Sequence, residues 1–299
     1  MYDIIIVGGG PAGLTAATYA RRAGKSVLVI EKNAFGGQIT WSPKVENFPS
    51  VISISGTELG DRLLEQAMEQ GADAELEEVV SVSAGEVKTV KCQSGAEFQA
   101  RAVIIAAGAK PRMLGLPREE ELIGSGVGFC AVCDGAFYKG RPVAVNGGGN
   151  SALQDALLLA ETCSRVYLIH RRDSFRGEAR LVDALWAKEN VDFVMNASVV
   201  ELLGESELTG IVVEQQGQRW EIAVEGLFVA VGHQPDVNLF ENLIELDKGG
   251  YALSGEDCLT GTPGIFVAGD CRSKSVRQLT TAMADGSVAA LAACAYLDA

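Results

Sequence analysis

The stretch Ile4-Ile5-Ile6-Val7-Gly8-Gly9-Gly10-Pro11-Ala12-Gly13 decides the fold of this chain. Its apolar, β-branched start predicts a buried parallel strand, and its glycines form the pattern G-x-G-x-x-G at a turn from strand to helix. Leu14–Ala23 has helical spacing, and a second apolar strand, Val27–Ile30, ends at Glu31. In such a unit the glycines let a pyrophosphate approach the helix N-terminus, and the acidic residue accepts hydrogen bonds from a ribose. The stretch therefore predicts a dinucleotide site.

The same unit recurs in the second half of the chain. Val143–Asn146 corresponds to the first strand, and Gly147-Gly148-Gly149-Asn150-Ser151-Ala152 corresponds to the glycine turn. Alanine is permitted at the last position of this pattern. Val166–Ile169 corresponds to the second strand, so the repeat predicts a second dinucleotide site.

The residue that corresponds to Glu31 in the second copy is His170, which opens the run His170-Arg171-Arg172-Asp173-Ser174-Phe175-Arg176. Guanidinium groups pair with phosphate through a planar fork of donors. Three arginines near the place of a ribose-binding carboxylate therefore predict a 2′-phosphate and hence NADP(H), which leaves FAD for the first site. The alternative interpretation of this run is a solvated basic turn.

Between the two units lies Phe129-Cys130-Ala131-Val132-Cys133-Asp134-Gly135. Two cysteines at this spacing can form a small disulfide, and a helix N-terminus favours the thiolate. Asp134 can pass protons as the disulfide opens and closes. The alternatives are a zinc site and a pair of inert buried cysteines. A structural zinc site requires four ligands, and the only histidines, His170 and His233, are distant in sequence. We therefore predict a redox pair and no metal.

Two further stretches have the composition of ligand-binding loops. Gly36–Thr40 and Val45–Pro49 combine glycine, proline and amides, which predicts a loop against a ligand, with a plain surface loop as the alternative. Asp270 comes after a third buried strand and can bond a ribityl hydroxyl or serve as a helix cap. Arg277–Leu279 precedes a helix whose N-terminus would stabilise a reduced flavin.

Short strands come after each unit and predict a small antiparallel meander in both halves, each leading to a buried strand that ends in glycine. The segments are Val79–Val90, Glu97–Val103 and Val103–Gly108 in the first half, and Val199–Leu203, Leu208–Gln215, Arg219–Val224 and Leu227–Gly232 in the second.

Composition limits the function classes. The length of 299 residues suggests two domains, and the net charge of −14 argues against nucleic acid and anionic membrane as partners. No apolar run reaches the ~18 residues of a membrane span, and Tyr2–Val7 is too short for a signal-peptide core. Seven unevenly spaced cysteines fit a reducing cytoplasm rather than a secreted disulfide framework.

The sequence resembles the low-molecular-weight thioredoxin reductases of bacteria and plants, which are NADPH-dependent flavoproteins. The resemblance covers essentially the whole chain and rests on motifs in family order: G-G-G-P-A-G, G-G-Q-I-T, V-E-N-F-P, C-A-V-C-D-G, G-G-G-N-S-A, H-R-R-D-S-F-R, V-G-H-Q-P, A-G-D and R-Q-L. It implies an α/β fold of two Rossmann-like three-layer dinucleotide-binding domains, the second inserted into the first. The FAD-binding domain would comprise residues 1–112 and 239–299, and the NADPH-binding domain, with the cysteine pair, residues 113–238.

The resemblance also implies roles for single residues and a homodimer. Cys133 would face the flavin, Cys130 would exchange with the partner disulfide, and Asp134 would be the acid/base. The residues expected to bind FAD are Gly8, Gly10, Pro11, Ala12, Gly13, Glu31, Lys32, Gly37, Gln38, Asn47, Gly108, Asp270, Arg277, Gln278 and Leu279. Those expected to bind NADPH are Gly147, Gly149, Asn150, Ser151, His170, Arg171, Arg172 and Arg176.

The function expected from these features is that of a thioredoxin-disulfide reductase, which passes electrons from NADPH through FAD and the Cys130–Cys133 pair to thioredoxin or a thioredoxin-like protein. One alternative keeps the scaffold but changes a partner, with ferredoxin as the donor or another small redox protein as the acceptor. A second alternative is a non-catalytic flavin redox sensor. An intact cysteine pair and the arginine run argue against it, because a sensor without turnover would need no donor site.

Overall fold

The computed structural model describes residues Met1–Ala299, which divide into two units. The first unit combines Met1–Lys110 with Gln234–Ala299, and the second is the continuous segment Pro111–His233. Two short strands at the crossings between the units pair with each other in a two-stranded sheet.

The strands, in chain order, are β1 (Tyr2–Val7), β2 (Val27–Glu31), β3 (Asp73–Leu76), β4 (Val79–Val82), β5 (Lys88–Cys92), β6 (Glu97–Ile105), β7 (Ala109–Pro111), β8 (Val127–Gly128), β9 (Pro142–Asn146), β10 (Arg165–His170), β11 (Val191–Met195), β12 (Ala197–Leu203), β13 (Gly210–Gln215), β14 (Gln218–Ile222), β15 (Gly226–Val229), β16 (His233–Pro235) and β17 (Ile265–Val267). The helices are α1 (Pro11–Arg22), α2 (Gly56–Glu69), α3 (Ala131–Asp134), α4 (Asn150–Ala160), α5 (Ala179–Trp186) and α6 (Leu279–Asp298). Short 3-10 helices lie at Gly37–Trp41, Gly135–Tyr138, Asn238–Phe240 and Gly269–Cys271.

The sheet of the first unit has the order β3-β2-β1-β6-β5-β4, and β17 also pairs with β6. Successive side chains of β1 point to opposite faces. Ile4 and Ile6 therefore pack in the cluster with α1, α2 and α6, whereas Ile5 and Val7 pack with Phe240 on the other face. Both faces are covered, and this explains why β1 is apolar at every buried position.

Strand β6 belongs to both the meander and the parallel core. Its first half pairs antiparallel with β5, from Lys91 opposite Glu97 to Lys88 opposite Ala100. Its second half runs parallel to β1 and to β17. The sequence suggested two separate segments divided at Val103, but the structure has one continuous strand. The reason is that Ala102–Ile105 continues the pleat of the preceding residues without a break.

The second unit repeats this arrangement with the parallel order β11-β10-β9-β15-β8, and β12-β13-β14 forms a separate antiparallel meander. Val143 and Val145 of β9 face α4, and Ala144 faces the cluster that includes the meander. The predicted fold class, two Rossmann-like units each with a meander, is confirmed. No helix combines the length and the apolar character that crossing a membrane requires.

Helices α1 and α6 approach each other closely at Gly286. A Cβ atom at this position would lie 2.1 Å from the carbonyl oxygen of Ala12, which is backbone and cannot move aside. Gly286 is buried in the middle of α6, where glycine is otherwise a poor helix former. The close approach explains the glycine, since it brings α6 against the glycine turn at the start of α1.

We expect Gly286→Ala to lower the free energy of unfolding by about 1–3 kcal/mol through overpacking. Helix propensity alone has the opposite sign and would raise it by about 1 kcal/mol. Urea unfolding followed by circular dichroism measures the difference. Ser287→Ala, one position further in the same helix, is the control, and a higher urea midpoint for Gly286→Ala would contradict the packing argument.

Candidate functional site

In the first glycine turn, Gly8–Gly13, two glycines pack closely against backbone atoms and a third, Gly10, faces open space. A Cβ at Gly13 would lie 1.9 Å from the carbonyl oxygen of Gly8, and a Cβ at Gly8 would lie 2.3 Å from that of Ala106. A Cβ at Gly10 would meet only the carbonyl oxygen of Gly36, at 3.9 Å. Gly8 and Gly13 thus close the helix onto the strand, while Gly10 leaves the helix N-terminus accessible to an anion.

Glu31 lies at the end of β2 beside this turn. One carboxylate oxygen accepts the N–H of Gly9 at 2.7 Å, and the other accepts the N–H of Asn33 at 2.9 Å. The carboxylate therefore fixes the glycine turn against the end of the second strand, with lone pairs left for further donors. Its neighbour Lys32 forms an ion pair with Asp236 at 2.5 Å.

The predicted loop residues lie near the same edge of the first sheet. Gly36 and Gly37 both have positive φ, 101° and 60°, and their turn leads into the 3-10 helix Gly37–Trp41. A Cβ at Gly37 would lie 3.2 Å from Cα of Gly10, which brings this loop to the glycine turn. Gln38 donates from its side-chain amide to the carbonyl oxygen of Ala109. Asn47 is exposed.

The start of α6 brings the remaining predicted FAD residues together. Arg277 donates to the carbonyl oxygen of Asp270 at 3.2 Å, and its guanidinium lies over the ring of Tyr251, 4.0 Å from the centroid. Gln278 is the N-cap of α6, and Thr281 completes a reciprocal capping box with it. Leu279 is the first helical residue, and Gly108 lies after β6 with φ of 70°.

A buried ion network behind Asp270 was not predicted from the sequence. Asp285 on α6 pairs with Arg272 at 2.9 Å and with Lys274 at 3.0 Å, and it accepts the N–H of Gly269 at 3.1 Å. Lys274 also lies 3.4 Å from the Asp270 carboxylate. The two cations hold the pKa of Asp285 below its usual range despite its burial. No sequence motif marks these residues, because the three charges meet only through the turn between β17 and α6.

The second glycine turn, Gly147–Ala152, repeats the geometry of the first. A Cβ at Gly147 would lie 2.4 Å from the carbonyl oxygen of Ala230, and nothing lies within 4 Å of a Cβ at Gly149. Asn150 opens α4 and fixes the loop beyond the arginine run. Its side-chain carbonyl accepts the N–H of Glu178 at 2.8 Å, and its amide donates to the Glu178 carboxylate at 3.2 Å. Ser151 is the next residue and is exposed.

His170 lies beneath this turn rather than at the surface. It is 4% exposed, and its ring occupies the space that a Cβ at Gly148 would need. The ring stacks on Phe175, with 5.4 Å between centroids, and its Nε2 lies 3.1 Å from the carbonyl oxygen of Ser174. Burial lowers the pKa of His170, with smaller contributions from neighbouring arginines. The buried ring shapes the loop through its contacts with Gly148, Ser174 and Phe175.

The arginines of the run have a different environment. Arg171, Arg172 and Arg176 are all exposed, and none of them forms an ion pair with a carboxylate. The N–H of Arg176 donates to the carbonyl oxygen of Gly148 at 2.8 Å, which ties the run to the glycine turn. Three guanidinium groups without carboxylate partners make the surface beside the open helix N-terminus locally positive in a strongly acidic chain.

The cysteine pair lies at the start of α3 and is joined in a disulfide, with 5.3 Å between the Cα atoms. Cys130 is the N-cap of the helix, and its sulfur accepts the N–H of Cys133 at 3.2 Å. The sulfur thus occupies the position where a helix N-terminus stabilises negative charge. Val132, between the two cysteines, is 60% exposed.

Asp134 ends the same short helix. Its Oδ1 atom is buried without a hydrogen-bond partner, and burial raises the pKa of the carboxyl to about 6. A carboxyl with this pKa exchanges protons near neutral pH, which an acid/base beside a disulfide requires. Burial, with a smaller contribution from the charge of Asp134, also raises the pKa of Tyr138 to about 12.

The predicted residues therefore form two groups. Every predicted FAD residue lies in the first unit, and the predicted NADPH residues lie in the second unit with Cys130, Cys133 and Asp134. Within each unit the open glycine turn, the loop beside it and the charged residues lie at the carboxyl ends of parallel strands, where doubly wound sheets bind ligands.

Comparison with known proteins agrees with this geometry. The model of the pyridine nucleotide-disulphide oxidoreductase family matches residues 2–286. A thioredoxin reductase of Listeria monocytogenes is 43% identical over 100% of this chain and 94% of its own length, and one of Bacillus subtilis is 42% identical over 100% and 95%.

The chain belongs to the pyridine nucleotide-disulphide oxidoreductase family.

A solved structure, the thioredoxin reductase from Streptococcus pyogenes MGAS5005, superposes on this chain with a TM-score of 0.94. It is 38% identical, and the match covers 100% of this chain and 98% of that one. The resemblance to thioredoxin reductases noted from the sequence is confirmed. The family name also accounts for the two kinds of feature found here, a nucleotide-binding fold and a disulfide.

Replacing both Arg171 and Arg176 by alanine tests the prediction that these arginines hold the 2′-phosphate of NADPH. Each guanidinium–phosphate pair contributes about 1.5–3 kcal/mol, so we expect the KM for NADPH to rise by roughly 10-fold or more. The KM for NADH, which lacks the 2′-phosphate, should change little. Arg180→Ala is the control, because Arg180 is already paired with Glu178 at 2.6 Å. An equal rise in both KM values would refute the assignment.

The raised pKa of Asp134 predicts a pH dependence of stability. In the unfolded chain an aspartate ionises near ~3.9, whereas in the fold it stays protonated up to about 6. Between these values the folded state binds more protons, so this group makes stability fall as pH rises from about 4 to about 6, with no further change above. Asp134→Asn should remove this part of the slope.

Thermal unfolding midpoints at pH 4.5, 5.5, 6.5 and 8 measure the effect. The gain of Asp134→Asn over the parent protein should grow up to about pH 6 and then level off. Asp173→Asn, at an exposed position in the same unit, is the control. A gain that is constant across the range would show that Asp134 does not titrate as argued.

Proposed function

We propose that this chain is a thioredoxin-disulfide reductase that passes electrons from NADPH through FAD and the Cys130–Cys133 pair to thioredoxin or a thioredoxin-like protein. The observation that carries the proposal is the disulfide at the start of α3, accompanied by a buried carboxyl of raised pKa. Full-length relatives named thioredoxin reductase support the same activity. This is the function expected from the sequence.

FAD is the cofactor proposed for the first unit. The open side of Gly10 admits a pyrophosphate to the helix N-terminus, and Glu31 has lone pairs for a ribose. Pro11, Ala12, Gln38 and Asn47 would complete the site. The 3-10 turn at Asp270 and the N-terminus of α6 at Arg277–Leu279 would hold the ribityl chain and the pyrimidine side of the ring.

NADPH is the donor proposed for the second unit. Gly149, Asn150 and Ser151 surround an open helix N-terminus, and the unpaired guanidinium groups of Arg171, Arg172 and Arg176 would hold the 2′-phosphate. His170 would contribute by shaping the turn from below. When bound, the two cofactors supply the hydride and the electron pair that open the disulfide.

The residues of the chain determine the chemistry at the disulfide. The N-terminus of α3 stabilises the thiolate at Cys130, and Asp134 holds a proton that the released sulfur needs. We assign Cys133 to the exchange with the flavin and Cys130 to the exchange with the partner disulfide, as the resemblance implies. The exposed Val132 offers an apolar contact to a protein partner beside the pair.

Assembly and location form part of the proposal. Val288, Leu291 and Tyr296 are exposed apolar residues of α6, and they support the homodimer that the resemblance implies. The five remaining cysteines are all buried free thiols. Unpaired thiols beside a single redox-active disulfide support a reducing compartment, the cytoplasm.

Ferredoxin as donor and a role as a flavin sensor are the competing functions. The arginine run favours NADPH over ferredoxin, because three guanidinium groups without carboxylate partners have no evident structural purpose. The disulfide and the adjacent carboxyl favour turnover over sensing.

An anaerobic titration of the purified holoprotein with NADPH, followed by flavin absorbance, tests the donor. We expect NADPH to bleach the flavin readily and NADH poorly. A flavin that stays oxidised with NADPH but is bleached by dithionite would overturn the NADPH assignment and favour a ferredoxin-fed enzyme.

The acceptor is tested by thioredoxin-dependent reduction of insulin. Cys133→Ser should retain FAD and lose this activity, whereas Cys294→Ala, which alters a free thiol outside the motif, should keep it. Activity retained by Cys133→Ser would exclude the disulfide mechanism.

A further inference from the structure

Four charged side chains meet where the turn after β17 passes the middle of α6. The carboxylates belong to Asp270 and Asp285, and the cations belong to Arg272 and Lys274. The side chains of Arg272, Lys274 and Asp285 are 8%, 9% and 10% exposed, whereas that of Asp270 is 32% exposed. The network therefore begins in the core and ends at a carboxylate that a ligand can reach.

Arg272 neutralises Asp285 by itself. Its Nε and Nη2 atoms donate to the two carboxylate oxygens of Asp285 at 3.2 and 2.9 Å, and its Nη1 donates to the carbonyl oxygen of Ser254 at 3.2 Å. A guanidinium that pairs with both oxygens of one carboxylate has the strongest geometry available to this pair. The charge of Arg272 is thus used within the core.

Lys274 connects this core pair with Asp270. Its ammonium donates to Oδ2 of Asp285 at 3.0 Å and lies 3.4 Å from Oδ1 of Asp270. Since Asp285 is already neutralised by Arg272, a second cation on it would leave an excess positive charge in a buried place, which is costly. Asp270 supplies the negative charge that balances Lys274. Asp285 fixes where the ammonium lies, and Asp270 is its counterion.

Asp285 is itself fixed to both parts of the first unit that are expected to hold FAD. Its carboxylate accepts the N–H of Gly269 at 3.1 Å, in the residue before Asp270. The next residue of α6, Gly286, packs against the carbonyl oxygen of Ala12 in the glycine turn. The position of the Lys274 ammonium is therefore set relative to the glycine turn as well as to Asp270.

We propose that Lys274 is a positioning residue for FAD, which holds the Asp270 carboxylate in place from its buried side so that its outer side can accept hydroxyl groups of the ribityl chain. This inference rests on the proposed binding of FAD to the first unit. Lys274 lies between the motifs A-G-D and R-Q-L and belongs to neither, so no sequence pattern singles it out.

The physical argument concerns preorganisation. Ordering a side chain when a ligand binds reduces the affinity, and a side chain that is already held avoids this cost. Hydrogen bonds to an ionised acceptor are roughly twice as strong as those between neutral groups. A buried ammonium behind Asp270 provides both advantages, because it fixes the carboxylate and favours its charged form.

A double-mutant cycle separates this role from simple support of the turn. Lys274→Met removes the charge and keeps an unbranched side chain, whereas Lys274→Arg keeps a cation. Asp270→Asn removes the counterion, and the double variant Asp270→Asn/Lys274→Met completes the cycle. Lys248→Met is the matched control, since Lys248 is an exposed lysine of the same unit.

The experiment uses the full chain stripped of flavin and titrated with FAD, with flavin fluorescence as the signal. It yields the Kd for FAD and needs neither NADPH nor thioredoxin. Urea unfolding of the same flavin-free proteins, followed by circular dichroism, shows separately whether each variant is folded.

We expect Lys274→Met to raise the Kd for FAD by about 10-fold, the size of the effect of one hydrogen bond to a charged group. Lys274→Arg should recover most of the affinity. In the Asp270→Asn background Lys274→Met should have little further effect on the Kd, because the carboxylate on which Lys274 acts is gone. Lys248→Met should match the parent protein.

Two outcomes would overturn the proposal alone. The first is a Kd for FAD that Lys274→Met leaves unchanged. The second is an equal rise in Kd with and without the Asp270 carboxylate, which would make Lys274 a structural support of the turn. A parent protein that binds no FAD would look different from both, since it would refute the FAD assignment and this inference with it.

Discussion

The contact between the carbonyl oxygen of Gly8 and the Cα of Gly13 is the constraint on which the first unit depends. It exists only because Gly13 has no side chain, and it seats the first turn of α1 directly on the end of β1. The helix N-terminus then faces the open side of Gly10. Helix α6 depends on a second glycine in the same way. It can approach the carbonyl oxygen of Ala12 closely only because Gly286 has no Cβ. Small residues therefore bring two helix N-termini to one edge of the sheet, where their dipoles favour negative charge.

Charge is distributed unequally around the two turns. In the first unit the cations Arg272 and Lys274 are buried and paired with Asp285, so their effect is to hold the Asp270 turn in place. Breaking such a buried network is costly because it leaves an uncompensated charge. In the second unit the arginines of the run lie at the surface without carboxylate partners. The same residue type thus has a structural use in one unit and is available to a ligand in the other.

The sequence predicted the repeated strand–glycine–helix units and the two meanders, because periodicity and glycine spacing are local signals. It did not predict that β6 serves both meander and core, since nothing in Glu97–Ile105 marks where one pairing gives way to the other. Asp285 was missed for a related reason. It acts through contacts made by the fold, with Arg272 and Lys274, and it lies in a helix whose local sequence is ordinary. The resemblance implied that His170, at the end of β10, is a nucleotide ligand, but its burial beneath Gly148 depends on the path of the next loop.

The exposure of Arg171, Arg172 and Arg176 has a consequence for how the protein responds to its medium. Attraction between surface charges is screened over a Debye length of about 8 Å at physiological ionic strength, and over less in concentrated salt. An exposed basic cluster therefore attracts a doubly charged phosphate strongly at low ionic strength and weakly at high ionic strength. The carboxylates elsewhere on this acidic chain repel the same ligand and are screened as well. If these arginines hold the 2′-phosphate as proposed, the preference of the protein for the phosphorylated nicotinamide cofactor decreases as salt is added.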